Sequence, residues 1–87
     1  MAYNLEISPE ADEIFAKLAK KSKKQLEAIN MKIGQILANP HHFKELRGNM
    51  QRIRRVHIEK SFVLTYEILE KEKTVRILDY EHHDNIY

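Results

Sequence analysis

The chain of 87 residues contains no cysteine, which excludes a disulfide framework and thiolate chemistry. No apolar stretch approaches the roughly 20 residues that are needed to cross a bilayer. The first residues also lack the basic start and the apolar run of a signal peptide. Internal repeats, low-complexity tracts and linkers are absent from the sequence as well. These absences predict one cytoplasmic domain that spans residues 1–87.

Charge is distributed unevenly along a chain whose net charge is only +2. Lysines are concentrated between residues 17 and 24, arginines and lysines between residues 44 and 60, and acidic residues between residues 67 and 84. A local cationic surface can bind phosphates even when the whole molecule is nearly neutral. For the lysines of residues 17–24, a solvated charged face is the simpler interpretation.

The first half of the sequence predicts a strand followed by a helical hairpin. Residues 3–7 alternate apolar and polar side chains, which is typical of a half-buried strand. Ser8, Pro9 and Glu10 then form a helix start, because serine caps free amides, proline fits the first helical position and glutamate complements the dipole. Apolar residues at helical spacing follow on both sides of a break near residues 20–24. The second helix ends at Asn39-Pro40, since proline cannot extend it.

The second half of the sequence predicts strands. Residues 56–58, 62–69 and 74–80 are rich in β-branched and aromatic side chains. The polar segments between them, residues 59–61 and 70–73, are short enough to be hairpin turns. The predicted fold is therefore α+β, with an N-terminal strand, an α-helical hairpin and an antiparallel β-meander of about three strands.

One face of the predicted sheet carries side chains suited to RNA cleavage. Because side chains alternate along a strand, Val56 and Ile58 take the core face, and Arg55 and His57 take the other. Cleavage without a metal, by attack of the 2′-hydroxyl on the adjacent phosphate, needs a base, cations and an acid. Histidine suits either proton role, arginine binds phosphate oxygens, and tyrosine stacks on an unpaired base. We expect His57, in a middle strand, to share a hollow with the histidines and Tyr87 of the chain's end.

Metal binding is the alternative use for the five histidines. The adjacent pairs His41-His42 and His82-His83 would point to opposite faces of a strand, and no zinc-binding spacing occurs. The sequence therefore predicts no metal and no other cofactor. His41 and His42, beside Pro40, are interpreted as ordinary loop residues, and Tyr66 as a core residue.

Five short motifs occur in a fixed order along the chain. They are Asn-Pro at residues 39–40, Glu-Leu-Arg-Gly at 45–48, Arg-x-x-His-Ile-Glu at 54–59, Leu-Thr-Tyr at 64–66, and His-His-Asp-Asn-Ile-Tyr at 82–87. Together they resemble the RelE/ParE toxin superfamily over nearly the whole chain. Within it, the chain looks most similar to YafQ-like and archaeal RelE mRNA interferase toxins.

The resemblance implies a RelE-like microbial ribonuclease fold and a toxin of a type II toxin–antitoxin system. Such a toxin enters the ribosomal A site and cleaves messenger RNA without a metal. The implied catalytic residues are His57 as base, His83 as acid, Arg55 as phosphate ligand and Tyr87 as orienting residue. The implied RNA-binding residues are Arg54, Lys44, Arg47, Arg52 and His82, of which His82 is also the alternate acid.

The resemblance also implies a partner, namely a RelB/DinJ-like antitoxin bound in a heterotetramer. Three positions depart from the family pattern. Val63 stands where RelE and YoeB types have an arginine, Ser61-Phe62 stand where YafQ types have Asp-Trp, and Lys44 stands where YafQ types have a histidine. Two other functions therefore stay open: a ParE-like inhibitor of DNA gyrase, whose relatives usually lack these histidines, and a catalytically weak interaction module.

Overall fold

The computed structural model describes residues 3–43 and 53–82, which form a sheet and two helices. The strands are β1 (Asn4–Ile7), β2 (Ile53–Ile58), β3 (Phe62–Leu69) and β4 (Thr74–His82). The helices are α1 (Pro9–Lys21) and α2 (Lys23–Ala38), and a short 3-10 turn (Pro40–His42) follows α2. This order confirms the predicted α+β fold of a strand, a helical hairpin and a meander.

Serine hydroxyls begin both helices. Ser8 Oγ accepts a hydrogen bond from the amide of Ala11 (3.1 Å), and Ser22 Oγ accepts one from the amide of Gln25 (3.3 Å). Such bonds satisfy the free amides at a helix start. Ser22 also ends α1, because its backbone (φ −153°, ψ 88°) leaves the helical region, while its amide makes the last helical bond, to the Leu18 carbonyl (2.8 Å). The predicted break near residues 20–24 is thus a single residue. Neither of these helices is long and apolar enough to span a membrane.

The four described strands form one sheet in the order β1-β4-β3-β2. β3 is antiparallel to both of its neighbours, whereas β1 is parallel to β4. β2 therefore lies at an edge, and the prediction that His57 lies in a middle strand is wrong. The reason is physical: side-chain alternation fixes which face a residue takes, but pairing between distant segments fixes which strands are central.

A β-bulge fixes the start of α1 on the sheet. The register between β3 and β4 shifts between Thr65 and Tyr66, so that Leu78 has no opposite residue in β3. The Ser8 hydroxyl donates a hydrogen bond to the Leu78 carbonyl (2.7 Å). The Ser8 side chain thus caps α1 and gives the Leu78 carbonyl at the bulge a hydrogen-bond donor.

The core lies between the helices and one face of the sheet. Its fully buried side chains are those of Ala11, Ile29, Ile36, Ile58, Leu64, Tyr66, Val75 and Ile77. The Tyr66 hydroxyl donates to the Pro40 carbonyl (2.6 Å), which satisfies the one polar group that this tyrosine buries. The interpretation of Tyr66 as a core residue is confirmed, and its hydroxyl fixes the 3-10 turn to the sheet.

Candidate functional site

Successive side chains of β2 lie on opposite sides of the sheet. Val56 and Ile58 are buried in the core, His57 between them is exposed, and Arg55 is half-buried. Arg55 and His57 therefore share the face of the sheet that is turned away from the helices, as the sequence predicts. We call it the open face, although Val63 and Thr65 of β3 are buried on it. A substrate in solution can reach the imidazole of His57.

A hollow of about 330 Å³ lies at this edge of the sheet, and we call it the His57 hollow. It is lined by His42, Phe43, Arg55, Val56 and His57. The rings of His42 and Phe43 meet edge to face, with centroids 5.0 Å apart. Two imidazoles, a guanidinium and an aromatic ring are thus available to one small ligand.

His42 and Phe43 are the site residues that sequence reasoning missed. His42 is interpreted from sequence as an ordinary loop residue, yet it lines the same hollow as His57. No spacing rule connects two residues that far apart in the chain. Only the packing of the 3-10 turn against β2 brings them together, so the sequence carries no direct signal for this pair.

Arg54 connects that turn to β2. It lies on the same side of the strand as Val56, and its Nη1 donates to the Phe43 carbonyl (2.7 Å). Arg54 and Arg55 are neighbours in sequence but take opposite faces of the sheet, because side chains alternate. The structure therefore does not bring Arg54 beside Arg55 and His57, and it gives Arg54 a contact that positions the wall of the hollow.

A second cluster of polar side chains surrounds His41, outside the His57 hollow. His41 Nε2 lies 3.0 Å from Glu70 Oε1, and His41 Nδ1 lies 3.4 Å from Arg54 Nη2. Glu70 also accepts a hydrogen bond from the Tyr3 hydroxyl (3.0 Å). The hydrogen bonds from His41 and Tyr3 hold the pKa of Glu70 below its ordinary value. His41 therefore links the 3-10 turn to the β3–β4 turn, rather than being an ordinary loop residue.

Two carboxylates of β4 share the open face with the cationic side chains. Across β3, Asp79 lies in line with Arg55, and Glu81 lies in line with His57. Two strand spacings, about 10 Å, separate the backbones in each pair. A hydrogen bond with Asp79, together with partial burial, raises the pKa of Glu81. Strand pairing therefore brings charges that are distant in the sequence to one face of the sheet.

The remaining predicted site residues fall into two groups. His82 is exposed at the end of β4, and its ring meets that of Phe62 edge to face at 5.4 Å. Phe62 contacts the core, so His82 lies on the side opposite His57. The other five, Lys44, Arg47, Arg52, His83 and Tyr87, lie outside the described residues. Among residues 3–43 and 53–82, no three His, Asp or Glu side chains gather as a metal site would require.

Comparison with known proteins gives both relatives and structural neighbours. The chain is 51% identical over 85 residues to a protein of Methanocaldococcus jannaschii that carries the toxin name RelE4, covering 98% of this chain and 90% of that protein. It shares its fold with isolated E. coli RelE (TM-score 0.79, 23% identity, covering 93% of this chain and 84% of RelE).

Two further solved structures share the fold. One is a chain of the RelBE2 toxin–antitoxin complex of Mycobacterium tuberculosis (TM-score 0.78, 22% identity, covering 95% of this chain and 100% of that one). The other is YafQ of E. coli (TM-score 0.74, 18% identity, covering 98% of each chain). Residues 5–87 match the family described as the ParE toxin of the type II toxin–antitoxin system parDE. The predicted resemblance is confirmed, and the chain belongs to this toxin family, within the RelE/ParE superfamily.

Proposed function

We propose that this toxin is a metal-independent endoribonuclease that cleaves messenger RNA in the ribosomal A site. The observation that carries the proposal is the His57 hollow, in which an exposed imidazole lies with a guanidinium and a second imidazole. These are the groups that phosphodiester cleavage by an internal hydroxyl needs. The RelE and YafQ folds of the structural neighbours support the same class of activity.

The proposed reaction begins with His57 as general base. Its imidazole takes the proton of a 2′-hydroxyl, whose oxygen then bonds to the adjacent phosphorus. The bond from phosphorus to the 5′-oxygen breaks, and that oxygen takes a proton from a general acid. The products are a 2′,3′-cyclic phosphate and a 5′-hydroxyl. Arg55 stabilises the charge that develops on the phosphate oxygens, because a guanidinium keeps its charge and offers paired donors.

The general acid is proposed to be His83, with His82 as the alternate, and Tyr87 is proposed to orient the substrate. These assignments come from the resemblance of the chain's last residues to the family pattern. His42 adds a further proton donor from inside the His57 hollow, and Phe43 adds a ring on which an unpaired base can stack.

The charge of the open face limits where the RNA backbone can lie. Asp79 and Glu81 occupy β4 and repel phosphates, so we place the backbone along the β2 edge rather than across the sheet. Lys44, Arg47 and Arg52, which precede β2 in the chain, remain proposed phosphate ligands. For Arg54, the bond to the Phe43 carbonyl favours a positioning role over direct contact with RNA.

A cognate antitoxin is the proposed partner. The RelBE2 neighbour is a toxin–antitoxin complex, and family membership implies a neutralising chain for this toxin as well. We propose a RelB/DinJ-like, acidic and largely helical chain, bound in a heterotetramer. Coexpression with the product of a neighbouring small acidic gene, followed by copurification and mass measurement of the complex, tests both partner and stoichiometry.

Substitution of the proposed base tests the catalytic assignment. We expect His57→Ala to lower the rate of messenger RNA cleavage on ribosomes by about 10²–10⁴-fold, which is the usual contribution of a positioned acid or base. The matched control is His41→Ala, since His41 is also an exposed histidine but lies outside the His57 hollow. Circular dichroism confirms folding of both variants. A folded His57→Ala protein that cleaves as fast as the control would refute the assignment.

Inhibition of DNA gyrase is the second candidate function, and the parDE description of the matching family favours it. A gyrase inhibitor acts by binding and needs no acid–base chemistry. It would therefore block supercoiling in both the wild type and the His57→Ala variant, with no RNA cleavage by either. Cleavage that depends on His57, without an effect on supercoiling, would exclude this alternative.

A further inference from the structure

A hollow of about 590 Å³ lies between the α1–α2 junction and the β2–β3 turn, separate from the His57 hollow. One wall consists of Ser22, Lys24 and Gln25 at the start of α2, and the other consists of residues 59–62. We call it the Lys24–Lys60 hollow, after the cationic side chain on each wall. Both lysines are exposed, and in the described parts of the chain no carboxylate forms an ion pair with either.

Cationic side chains outnumber acidic ones in the lining of this hollow, where Lys24 and Lys60 stand against the single carboxylate of Glu59. The first turn of α1 carries Glu10 and Asp12, which complement the helix dipole, whereas the first turn of α2 carries no acidic residue. Instead, Lys23 and Lys24 add positive charge to the positive end of the α2 dipole. Lys60 adds a further positive charge from the opposite wall. A bound anion would relieve this repulsion.

Two internal contacts hold Gln25 and Phe62 of the lining in place. Gln25 Nε2 donates to the Tyr80 hydroxyl (2.6 Å). The ring of Phe62 stacks on that of Tyr80, with centroids 5.2 Å apart and planes 9° from parallel. Burial raises the pKa of Tyr80, and the nearby Glu59 carboxylate adds to this effect. Glu59 lowers the net positive charge of the hollow, and its oxygens can accept a hydrogen bond from a ribose hydroxyl.

We propose that the Lys24–Lys60 hollow binds the phosphate backbone of the RNA next to the nucleotides in the His57 hollow, so the inference rests on the proposed function. Glu59 follows His57 by two residues, at most about 7 Å of chain, and the chain turns at Glu59 (φ 55°), so one RNA strand can reach both hollows around the β2–β3 turn. The lining favours RNA over an acidic protein, since Phe62 is its one apolar residue, whereas a helical partner needs an apolar surface.

Salt-dependent binding of RNA tests this proposal. The probe is a short fluorescent single-stranded RNA with 2′-O-methyl sugars, which binds but cannot be cleaved, and anisotropy gives its affinity for the full chain. The plot of log K against log salt has a negative slope, and each lost phosphate contact reduces its magnitude by about 0.7. Lys24→Ala/Lys60→Ala should therefore reduce the magnitude of the slope by about 1.4. The matched control, Lys20→Ala/Lys21→Ala, removes the same charge from the neighbouring turn of α1.

The outcomes separate a specific site from general attraction. A slope reduced in Lys24→Ala/Lys60→Ala but not in the control supports the proposal. Equal reductions, or no reduction in either, overturn it. Loss of antitoxin copurification with unchanged RNA binding would assign the hollow to a protein partner and would also overturn it. The two proposals fail in different assays. Failure of the catalytic assignment would appear as unchanged RNA cleavage by His57→Ala, whereas failure of this proposal would appear as an unchanged salt dependence of RNA binding by Lys24→Ala/Lys60→Ala.

Discussion

The hydrogen bond from Tyr66 to Pro40 permits a worked prediction, because it fixes the 3-10 turn that carries His42. Tyr66 is fully buried, and its hydroxyl donates to the Pro40 carbonyl over 2.6 Å. Tyr66→Phe keeps the ring and leaves that carbonyl without its donor. An acceptor left unsatisfied in the interior costs about 1–3 kcal/mol. For a domain of this size, that corresponds to a Tm lower by roughly 4–8 °C for each kcal/mol.

The pH dependence of the same variant gives an independent check. Burial raises the pKa of Tyr66 to about 12, whereas tyrosine in the unfolded chain ionises near 10. Above pH 10, the unfolded state therefore loses this proton first, and the wild type loses stability as pH rises toward 12. At pH 11 the loss is about 1.4 kcal/mol. Tyr66→Phe lacks this loss, so its deficit relative to the wild type should shrink by that amount between pH 9 and pH 11.

Urea unfolding at neutral pH measures the cost of Tyr66→Phe, and the same experiment at pH 9 and pH 11 measures how that cost changes with pH. The control is Tyr80→Phe, since the Tyr80 hydroxyl accepts a hydrogen bond from Nε2 of the Gln25 side chain. Gln25 is only partly buried, so its side chain can turn to water when that acceptor is removed. We expect the control to cost less than Tyr66→Phe. A Tyr66→Phe variant that loses less than about 0.5 kcal/mol at neutral pH, below the range for a buried unsatisfied group, would refute the reasoning. So would a deficit that stays constant through pH 11.

Two further substitutions test the helix ends and the helix interior. Ser8→Ala removes both the cap of α1 and the bond to the Leu78 carbonyl, so we expect the free energy of unfolding to fall by about 0.5–2 kcal/mol. Ser8→Thr should recover part of this loss, and an unchanged urea midpoint for Ser8→Ala would contradict the prediction. Gly34→Ala places a methyl group in α2 where no atom lies within 4 Å, so we expect the free energy of unfolding to rise by about 0.5–1 kcal/mol. A lower free energy of unfolding in urea would contradict this prediction.

Local rules predicted the elements of this fold well. The structure has β3 at Phe62–Leu69, as predicted from the sequence, and the helices part at Ser22 and end before Asn39. Capping, alternation and the rigidity of proline act over a few residues, so one sequence suffices to apply them. The parallel pairing of β1 with β4, and the edge position of β2, depend on contacts between distant segments. These were not predictable from periodicity.

The candidate site was predictable only where alternation applies. The exposure of His57 follows from the burial of Val56 and Ile58. The same rule places Arg54 with Val56, on the helix side, so its separation from Arg55 was available from the sequence and was missed. His42 joins the His57 hollow through the packing of the 3-10 turn, for which the sequence holds no local signal.

The distribution of charge on the sheet constrains how a single RNA strand can use both hollows. Asp79 and Glu81 place carboxyl groups on β4 of the open face, while Arg55 lies on β2 and Lys60 lies in the turn that follows β2. Like charges repel strongly at short range, so a strand that crossed β4 would lose the attraction that it gains at Arg55. A strand that follows the β2 edge meets the cations in turn and avoids the carboxylates. The test is the variant Asp79→Asn/Glu81→Gln, in which β4 loses both negative charges. If the RNA backbone follows the β2 edge, this variant binds the uncleavable RNA with the same salt dependence as the wild type. A steeper salt dependence would place phosphates on β4 and overturn the edge path.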